Sequence, residues 1–285
     1  MEKQPTGLGG IEIRNVTKTY GVGRFAKAAV RDCSFTIEPG KLTVMIGPSG
    51  SGKSTLIKLL AGFEMPTSGT ILMNGRPITG PGSDRLVVFQ ESALYPWMTT
   101  YENILYGPKA RGGFGARVAE RANALLDRVG LTQFRNSYPT QLSGGMQRRA
   151  ELARALINTP SVMILDEPFR GLDAMTKSLM QEYYAGLFEG SGHTHFFVTT
   201  DIDEAIFLAD RLLVMSNTPA QVRRVLEVDL PRPRRLSDVV ASDRANELKM
   251  TALSILHEEA IKSFASGHKA AADFVEAYTR RFAKP

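Results

Sequence analysis

"LTVMIGPSGSGKSTLIKLLAG", residues 42–62, decides how this chain folds. Leu42 to Ile46 is an unbroken apolar run that reads as a strand, and Lys53 to Gly62 has helical spacing and a glycine stop. The loop between them has the form G-x-x-x-x-G-K-[ST], in the strand–loop–helix order that gives the pattern its meaning. Gly47, Gly50 and Gly52 let backbone amides turn inward around phosphate oxygens, and the helix N-terminus adds a favourable field. Lys53 can reach the outer phosphates, and the Ser54 hydroxyl suits Mg²⁺. Pro48, Ser49, Ser51 and Thr55 complete the expected cradle over 47–55. A Gly/Ser-rich turn would account for the glycines but not for the order of elements around them.

Outward from this unit, "IEIRNVTKTY" (11–20) alternates and suggests a strand near an edge. "CSFTI" precedes Leu42 across the turn Glu38-Pro-Gly-Lys41, and "GTILMNG" and "DRLVVFQ" follow as further strands. From about 91 to 158 strand-like runs vanish and helical periodicity takes over. Strands resume at "VMILDEP", "HTHFFVTT", "DRLLVMS" and "VRRVLEV". A sheet-based core interrupted by an all-helical insert is expected over 1–235. "LPRPRR" (230–235) reads as a stiff linker. Residues 236–285 form an expected C-terminal extension, with two helices over 241–283 carrying the stripes Leu248-Ala252-Ile255 and Phe274-Tyr278-Phe282, packed as an accessory against the core.

The bulk numbers set bounds. The 285 residues carry 35 basic and 29 acidic side chains, a net charge of +6. That excess, spread over this length, reads as a solvated surface rather than a nucleic-acid footprint. No run of about 18 apolar residues is present, so no membrane span is expected. Met1 to Gly10 lacks the apolar core of a signal peptide. The single Cys33 excludes an internal disulfide, fits a reducing cytosol, and reads as a small core residue.

Two more stretches carry chemistry. "VMILDEP" (162–168) is an apolar run without alternation, as in a strand covered on both faces, and ends in two carboxylates. Asp166 is placed to hold Mg²⁺, through water, and Glu167 to polarise an attacking water. In "QLSGGMQRRAELARAL" (141–156) Ser143 caps a helix with the stripe Met146, Ala150, Ala153, leaving Arg148, Arg149 and Arg154 on an outer face. Gly144 and Gly145 leave the first amides uncovered, a second anion cradle in the same chain. One triphosphate needs only one cradle. The second makes sense if it closes over nucleotide held by another subunit.

"LSGGMQRR" between "GPSGSGKST" and "VMILDEP" resembles the signature of the ATP-binding-cassette (ABC) ATPases, over residues 11–233. "FQESALYPWMTTYENI", "DEPFRGLDAMT", "DIDEAIFLADRLLVMS" and "EVDLPRPR" are similar to the nitrate/sulfonate/taurine branch of importer ATPases. The resemblance implies an α/β P-loop NTPase (RecA-like) core with an antiparallel β edge, an inserted helical subdomain and a short C-terminal helical extension. It implies ATP and Mg²⁺ as ligands, with Tyr20 stacking on adenine and Gln90 touching Mg²⁺ and the attacking water. Ser143, Gly144 and Gly145 would face the γ-phosphate on an opposite subunit, and Asp173 would lie in the loop crossing that interface. Arg170 stands where a small residue is expected; it either perturbs cross-talk between the two sites or is only a surface arginine, and the surface reading is the one favoured.

"FFVTTDIDEA" (196–205) holds one more departure. In the family the residue between "VT" and Asp201 is normally a histidine that contacts the γ-phosphate. Here it is Thr200, which donates a hydrogen bond but is shorter and never cationic. Binding should survive while turnover suffers, since losing one oriented donor costs about 10²–10³ in rate. His193 and His195, at the start of that strand, and His257 and His268 are not obvious replacements. The resemblance implies the ATP-hydrolysing subunit of an importer for a small anionic solute. It would sit peripherally on the cytoplasmic face of the membrane, under transmembrane permease subunits, with a second ATPase subunit (a homodimer or a paralogue) and, indirectly, a solute-binding protein outside. Segment 90–104, with Tyr95, Trp97 and Tyr101, would dock the permease. A soluble ABC-type ATPase not coupled to transport is the alternative. Only about 90 residues separate the glycine loop from the signature, too few for the long coiled coil of DNA-acting members.

Overall fold

The computed structural model describes residues 9–189 and 191–267, with side chains described to 262. The chain's most apolar runs share one six-stranded sheet because both of its faces are covered. Its strands are β3 (Leu42–Ile46), β6 (Arg85–Val88), β7 (Val162–Asp166), β8 (Thr194–Thr199), β9 (Arg211–Met215) and β10 (Val222–Glu227), in the order β10-β9-β3-β8-β7-β6. All neighbours pair in parallel except β10, an antiparallel edge on β9. Val44, Leu165, Phe197 and Leu212 point into one apolar cluster, Met45, Ile164, Phe196 and Leu213 into the other. Parallel strands buried on both faces lose the polar alternation of a half-exposed sheet.

The second face is closed by α1 (Lys53–Ala61) and a separate antiparallel sheet. That sheet is β2 (Lys27–Ile37), β1 (Ile11–Tyr20), β4 (Ser68–Met73) and the two-residue β5 (Arg76–Pro77), in that order. Cys33 is buried in it, and burial pushes its thiol up to about 11. The first face is closed by α5 (Ala174–Glu189), α6 (Ile202–Leu208) and α8 (Asp243–Gly267). A third cluster belongs to α2 (Thr100–Ala110), α3 (Ala116–Arg128) and α4 (Gly144–Leu156). Thr99 and Glu102 close a capping box on α2, each accepting from the other's backbone N–H.

Two expectations change. First, the arginines of α4 do not form an outer face. α4 lies between two cores, Ala150, Ala153 and Ile157 packing into the helical cluster while Leu152, Ala155 and Leu156 pack into the main one. Part of its polar stripe is therefore covered as well: Arg148 is only 6% exposed, while Arg149 and Arg154 are half-buried. Second, 230–235 is no spacer. Arg234 is buried and donates to the carbonyls of Ile206, Phe207 and Ala209 at the end of α6 and to those of Val228 and Leu230. Orphan carbonyls of a helix end are thus satisfied by a distant side chain. Arg232 adds bonds to Asp210 and to the Leu208 carbonyl, strapping the segment to the core. Of the two helices expected over 241–283, the described residues hold one, α8 to Gly267, preceded by the short α7 (Leu236–Val240). Leu248 and Ala252 are buried in the main core with Ile255 against it. Phe274, Tyr278 and Phe282 lie outside the described residues.

The histidine that opens β8 shapes the acid stability of this core. His195 is fully buried, 2.6 Å from the Tyr184 hydroxyl through Nδ1, with Phe188 edge-on at 5.0 Å. Burial drives it down to about 3, from an ordinary value near 6.5. The unfolded chain therefore takes up a proton as pH falls from about 6.5 to about 3, and the folded chain does not. Stability is full above 6.5 and is lost below it, by at most about 1.4 kcal/mol per pH unit from this group. A double substitution, Tyr184→Phe with His195→Phe, is expected to flatten the urea midpoint between pH 6 and 4 relative to the natural chain. An unchanged pH slope would show that other groups carry the acid lability.

Candidate nucleotide site

The sheet order lines up the candidate groups. β8 lies between β3 and β7, with Ile46 opposite Thr199 and Val198 opposite Asp166. Gly47, Thr200 and Glu167 are thus the first residues beyond three adjacent parallel strands, at the carboxyl edge where open α/β sheets bind ligands.

The glycine loop is held open by its backbone. Gly50 and Gly52 have φ of 75° and 97°, and a Cβ on Gly52 would stand 2.6 Å from the Ala29 carbonyl. Only glycine fits there. Lys53 is buried and folds back over the loop, donating to the carbonyls of Gly47 and Pro48 at 2.8 Å each. Burial lowers its pKa, opposed by the carboxylates of Glu167 and Asp166. Ser54 and Thr55 open α1, with Ser54 exposed. Ser51 Oγ is buried without a hydrogen-bond partner among the described residues, a polar group free to meet a bound phosphate. The Thr218 hydroxyl donates to the Gly50 carbonyl and ties the loop to the β9–β10 connection.

Across β8, Asp166 is half-buried, and its pKa is raised by burial and by the neighbouring Glu167. Glu167 has φ of 41°, a left-handed conformation rare outside glycine, and its N–H donates to the Val198 carbonyl at 2.8 Å. Such strain concentrates at functional positions. The carboxylate of Asp166 and the Ser54 hydroxyl offer hard oxygen donors of the kind Mg²⁺ takes, and a divalent cation would offset both the burial and the Glu167 charge that raise Asp166.

Arg170, read from the sequence as a surface arginine, is exposed yet reaches this cluster. Its Nη1 lies 3.1 Å from Glu167 Oε2. Thr200 is exposed and makes no hydrogen bond among the described residues, while its neighbours are committed. Thr199 Oγ1 accepts from the Asp201 N–H, and Asp201 caps α6 through the N–H groups of Asp203 and Glu204. Lys177 pairs with Asp201 at 2.7 Å and approaches Glu204 at 4.0 Å.

Tyr20 lies along α1, near Thr55 in its first turn and Glu64 just beyond its last. Its ring is 40% exposed, Lys18 lies over it at 5.2 Å, and its hydroxyl donates to Glu64 at 2.6 Å. Gln90 is exposed, and its backbone is what the fold holds. Arg148 donates to the Phe89 carbonyl at 2.8 Å, to the Gln90 carbonyl at 2.5 Å and to Glu151 at 2.6 Å. Glu151 in turn accepts from the Ala93 N–H. Burial lowers the pKa of Arg148 and raises that of Glu151, each opposed by the partner. Sequence reasoning missed this clamp, whose only linear trace is an Arg–x–x–Glu spacing on one helix.

The signature turn lies apart from this cluster. Ser143 caps α4, its Oγ accepting from the Met146 N–H at 3.3 Å. A Cβ on Gly145 would meet Thr176 at 2.9 Å, so one glycine of the pair has a packing reason, while Gly144 is exposed beside Leu172. Asp173 caps α5 by accepting from the Thr176 N–H at 3.0 Å. Ser143–Gly145 and Asp173 are thus neighbours on one surface. Of the aromatics, Trp97 is 69% exposed and stacks near Tyr95, whereas Tyr101 is half-buried under the Arg135 guanidinium at 3.6 Å. Tyr106, not Tyr101, joins Tyr95 beside a groove of about 400 Å³ that also touches Phe89 and Arg154.

Comparison with known proteins meets this geometry. A family model described as "ABC transporter" matches residues 30–170. The nitrate import ATP-binding protein NrtD of Synechococcus elongatus is 42% identical over 245 residues, 85% of this chain and 89% of that protein. The aliphatic sulfonates import ATP-binding protein SsuB of Bacillus licheniformis is 39% identical, over 84% of this chain and 93% of that one. The ATP-binding cassette MJ0796, solved as a dimer bound to ADP and Pi, superposes with a TM-score of 0.66 at 29% identity, covering 78% of this chain and all of that one. With its glycine loop, paired acids and capped signature turn on this fold, the chain belongs to the ABC transporter family as an ATP-binding, ATP-hydrolysing subunit.

Proposed function

We propose that this chain energises an importer of a small oxyanion of the nitrate, sulfonate or bicarbonate kind. The observation that carries the reading is its similarity, along more than four-fifths of its length, to nitrate, sulfonate and bicarbonate import ATPases. Among the described residues no helix is long and apolar enough to cross a membrane. Transmembrane permease subunits would supply the path and a solute-binding protein outside would deliver the solute, with this chain peripheral on the cytoplasmic face. Two ATPase subunits, identical or paralogous, would sandwich ATP between residues 47–55 of one and Ser143–Gly145 of the other, with Asp173 crossing beside them.

Within one such site Tyr20 stacks on adenine, and the loop amides and Lys53 hold the phosphates. Lys53 must leave the Gly47 and Pro48 carbonyls to do so, which the triphosphate's charge compensates. Ser54, Gln90 and Asp166 would hold Mg²⁺, which neutralises phosphate charge when bound. Glu167 orients and polarises the attacking water. Thr200 leaves the site short of one cationic donor. The clamp from Arg148 to the Gln90 backbone gives a rigid route from the γ-phosphate to the helical region and its exposed aromatics.

The coupling reading is tested by crosslinking. The single Cys33 is buried, so a thiol introduced by Trp97→Cys is the accessible one. A crosslink from residue 97 to a permease loop, in membranes carrying the assembled complex, is the expected result. Products confined to contacts within the chain would leave an ABC ATPase without this docking role.

A further inference from the structure

We infer that Arg170 supplies the cation that Thr200 lacks: parked on Glu167 without nucleotide, it passes to the γ-phosphate when ATP binds. The inference rests on the reading of Glu167 as the base and of residue 200 as a γ-phosphate contact. Its origin is a spatial coincidence. The chain departs from the family's pattern at two places in this site: one is paired with the Glu167 carboxylate, and the other directly follows the strand that holds the Glu167 backbone. Arg170 is three residues beyond Glu167 in a tight turn, its N–H donating to the Glu167 carbonyl at 3.1 Å. Thr200 is across the sheet, one residue past the strand end whose Val198 carbonyl binds the Glu167 N–H.

The geometry suits a side chain that changes partners. The turn fixes the backbone of Arg170, while its side chain is 59% exposed and is held by a single ion pair. A guanidinium presents five donors in a planar fork, so most of its capacity is unspent here. Arg170 also lies within electrostatic reach of Lys53, the group placed to bind the outer phosphates. Two cations and two carboxylates balance without nucleotide. A γ-phosphate entering between them offers Arg170 a more highly charged partner than Glu167.

The other candidates at this end are committed elsewhere. Lys177 is spent on Asp201 and Glu204, and His195 is buried at the opposite end of β8. Moving Arg170 onto the phosphate does two things together. It places positive charge where the transition state spreads negative charge, as cationic donors do in other phosphoryl-transfer sites. It also vacates the Glu167 carboxylate oxygen that Arg170 occupies, so that water takes that place only once ATP is bound. A group serving both ends makes a histidine at 200 unnecessary.

The test is a mutant cycle on the full-length chain, read by single-turnover hydrolysis above the concentration at which ATP dimerises it. Arg170→Ala is expected to lower the rate about 10²-fold with ATP affinity changed less than about threefold. Arg170→Lys, which keeps charge but not the fork, should recover part of that loss. Combined with Thr200→His, Arg170→Ala should cost less than about fivefold, because either cation then suffices. An equal loss with and without Thr200→His would overturn the inference, as would a rate unchanged or raised by Arg170→Ala alone. Failure of the wider reading looks different: the natural chain would then neither bind ATP nor hydrolyse it, alone or in its assembled complex.

Discussion

Glu167→Gln is expected to cut ATP hydrolysis by about 10²–10⁴-fold while ATP still binds, because it removes the general base and leaves the phosphate cradle intact. The substitution keeps the size of a side chain that is largely enclosed, at 11% exposure, and keeps an oxygen that can accept from Arg170. Lys53 keeps the Asp166 carboxylate near it, and neither Ser54 nor the loop glycines bond Glu167 among the described residues. If each ATP is closed between the glycine loop of one subunit and the Ser143 turn of another, the uncleaved nucleotide should lock the pair together. ATP should therefore shift this variant to a stable dimer, or lock the full complex, in size-exclusion or sedimentation measurements. A variant whose assembly ignores ATP would refute the shared site, and the exposed Gly144 and Asp173 would need another explanation.

The second large effect is on stability. Arg148→Met should destabilise the chain by about 3–5 kcal/mol, the cost of leaving a buried charge without its partner. Arg148 and Glu151 are both nearly inaccessible, and each also holds backbone of the 89–93 segment. Replacing both, as Arg148→Met with Glu151→Leu, should recover much of the urea midpoint, since an apolar pair of similar volume often substitutes for a buried ion pair. Hydrolysis should not recover with it. The double variant still lacks the bonds fixing Phe89 and Gln90, and Gln90 would lose its set position relative to the γ-phosphate. A double variant restored in both stability and turnover would show that the clamp is only a packing device.

These contrasts mark what was legible in the chain and why. The strands at 42–46, 162–166 and 194–199 were readable because burial on both faces removes alternation and leaves bare apolar runs. The phosphate loop was readable because its geometry excludes side chains at Gly52. Arg148 was misread because helical periodicity assumes water on one side, and α4 has a core on each. Residues 230–235 were misread for a related reason. Proline and arginine suggest solvent, yet Arg234 spends its donors on the end of α6 and the following carbonyls. Arg170 could not be placed at all from its linear position, since only the turn after Glu167 brings it onto the carboxylate. Thr200 was visible as a departure, but its neighbour's answer to it was not.

The last described helix sets where the working protein can be cut. Glu259, in α8, is buried and accepts from the Asn217 N–H at 3.0 Å, while the Asn217 side chain donates to the Glu259 carbonyl. The next residue is Thr218, whose hydroxyl holds the Gly50 carbonyl. A chain shortened at 235 would therefore lose more than an appendage: it would uncover Leu226 and Val228 and loosen the brace beneath the phosphate loop. For expression, fusion or domain exchange, a unit that is to keep this brace should therefore extend past Glu259, the residue that holds Asn217.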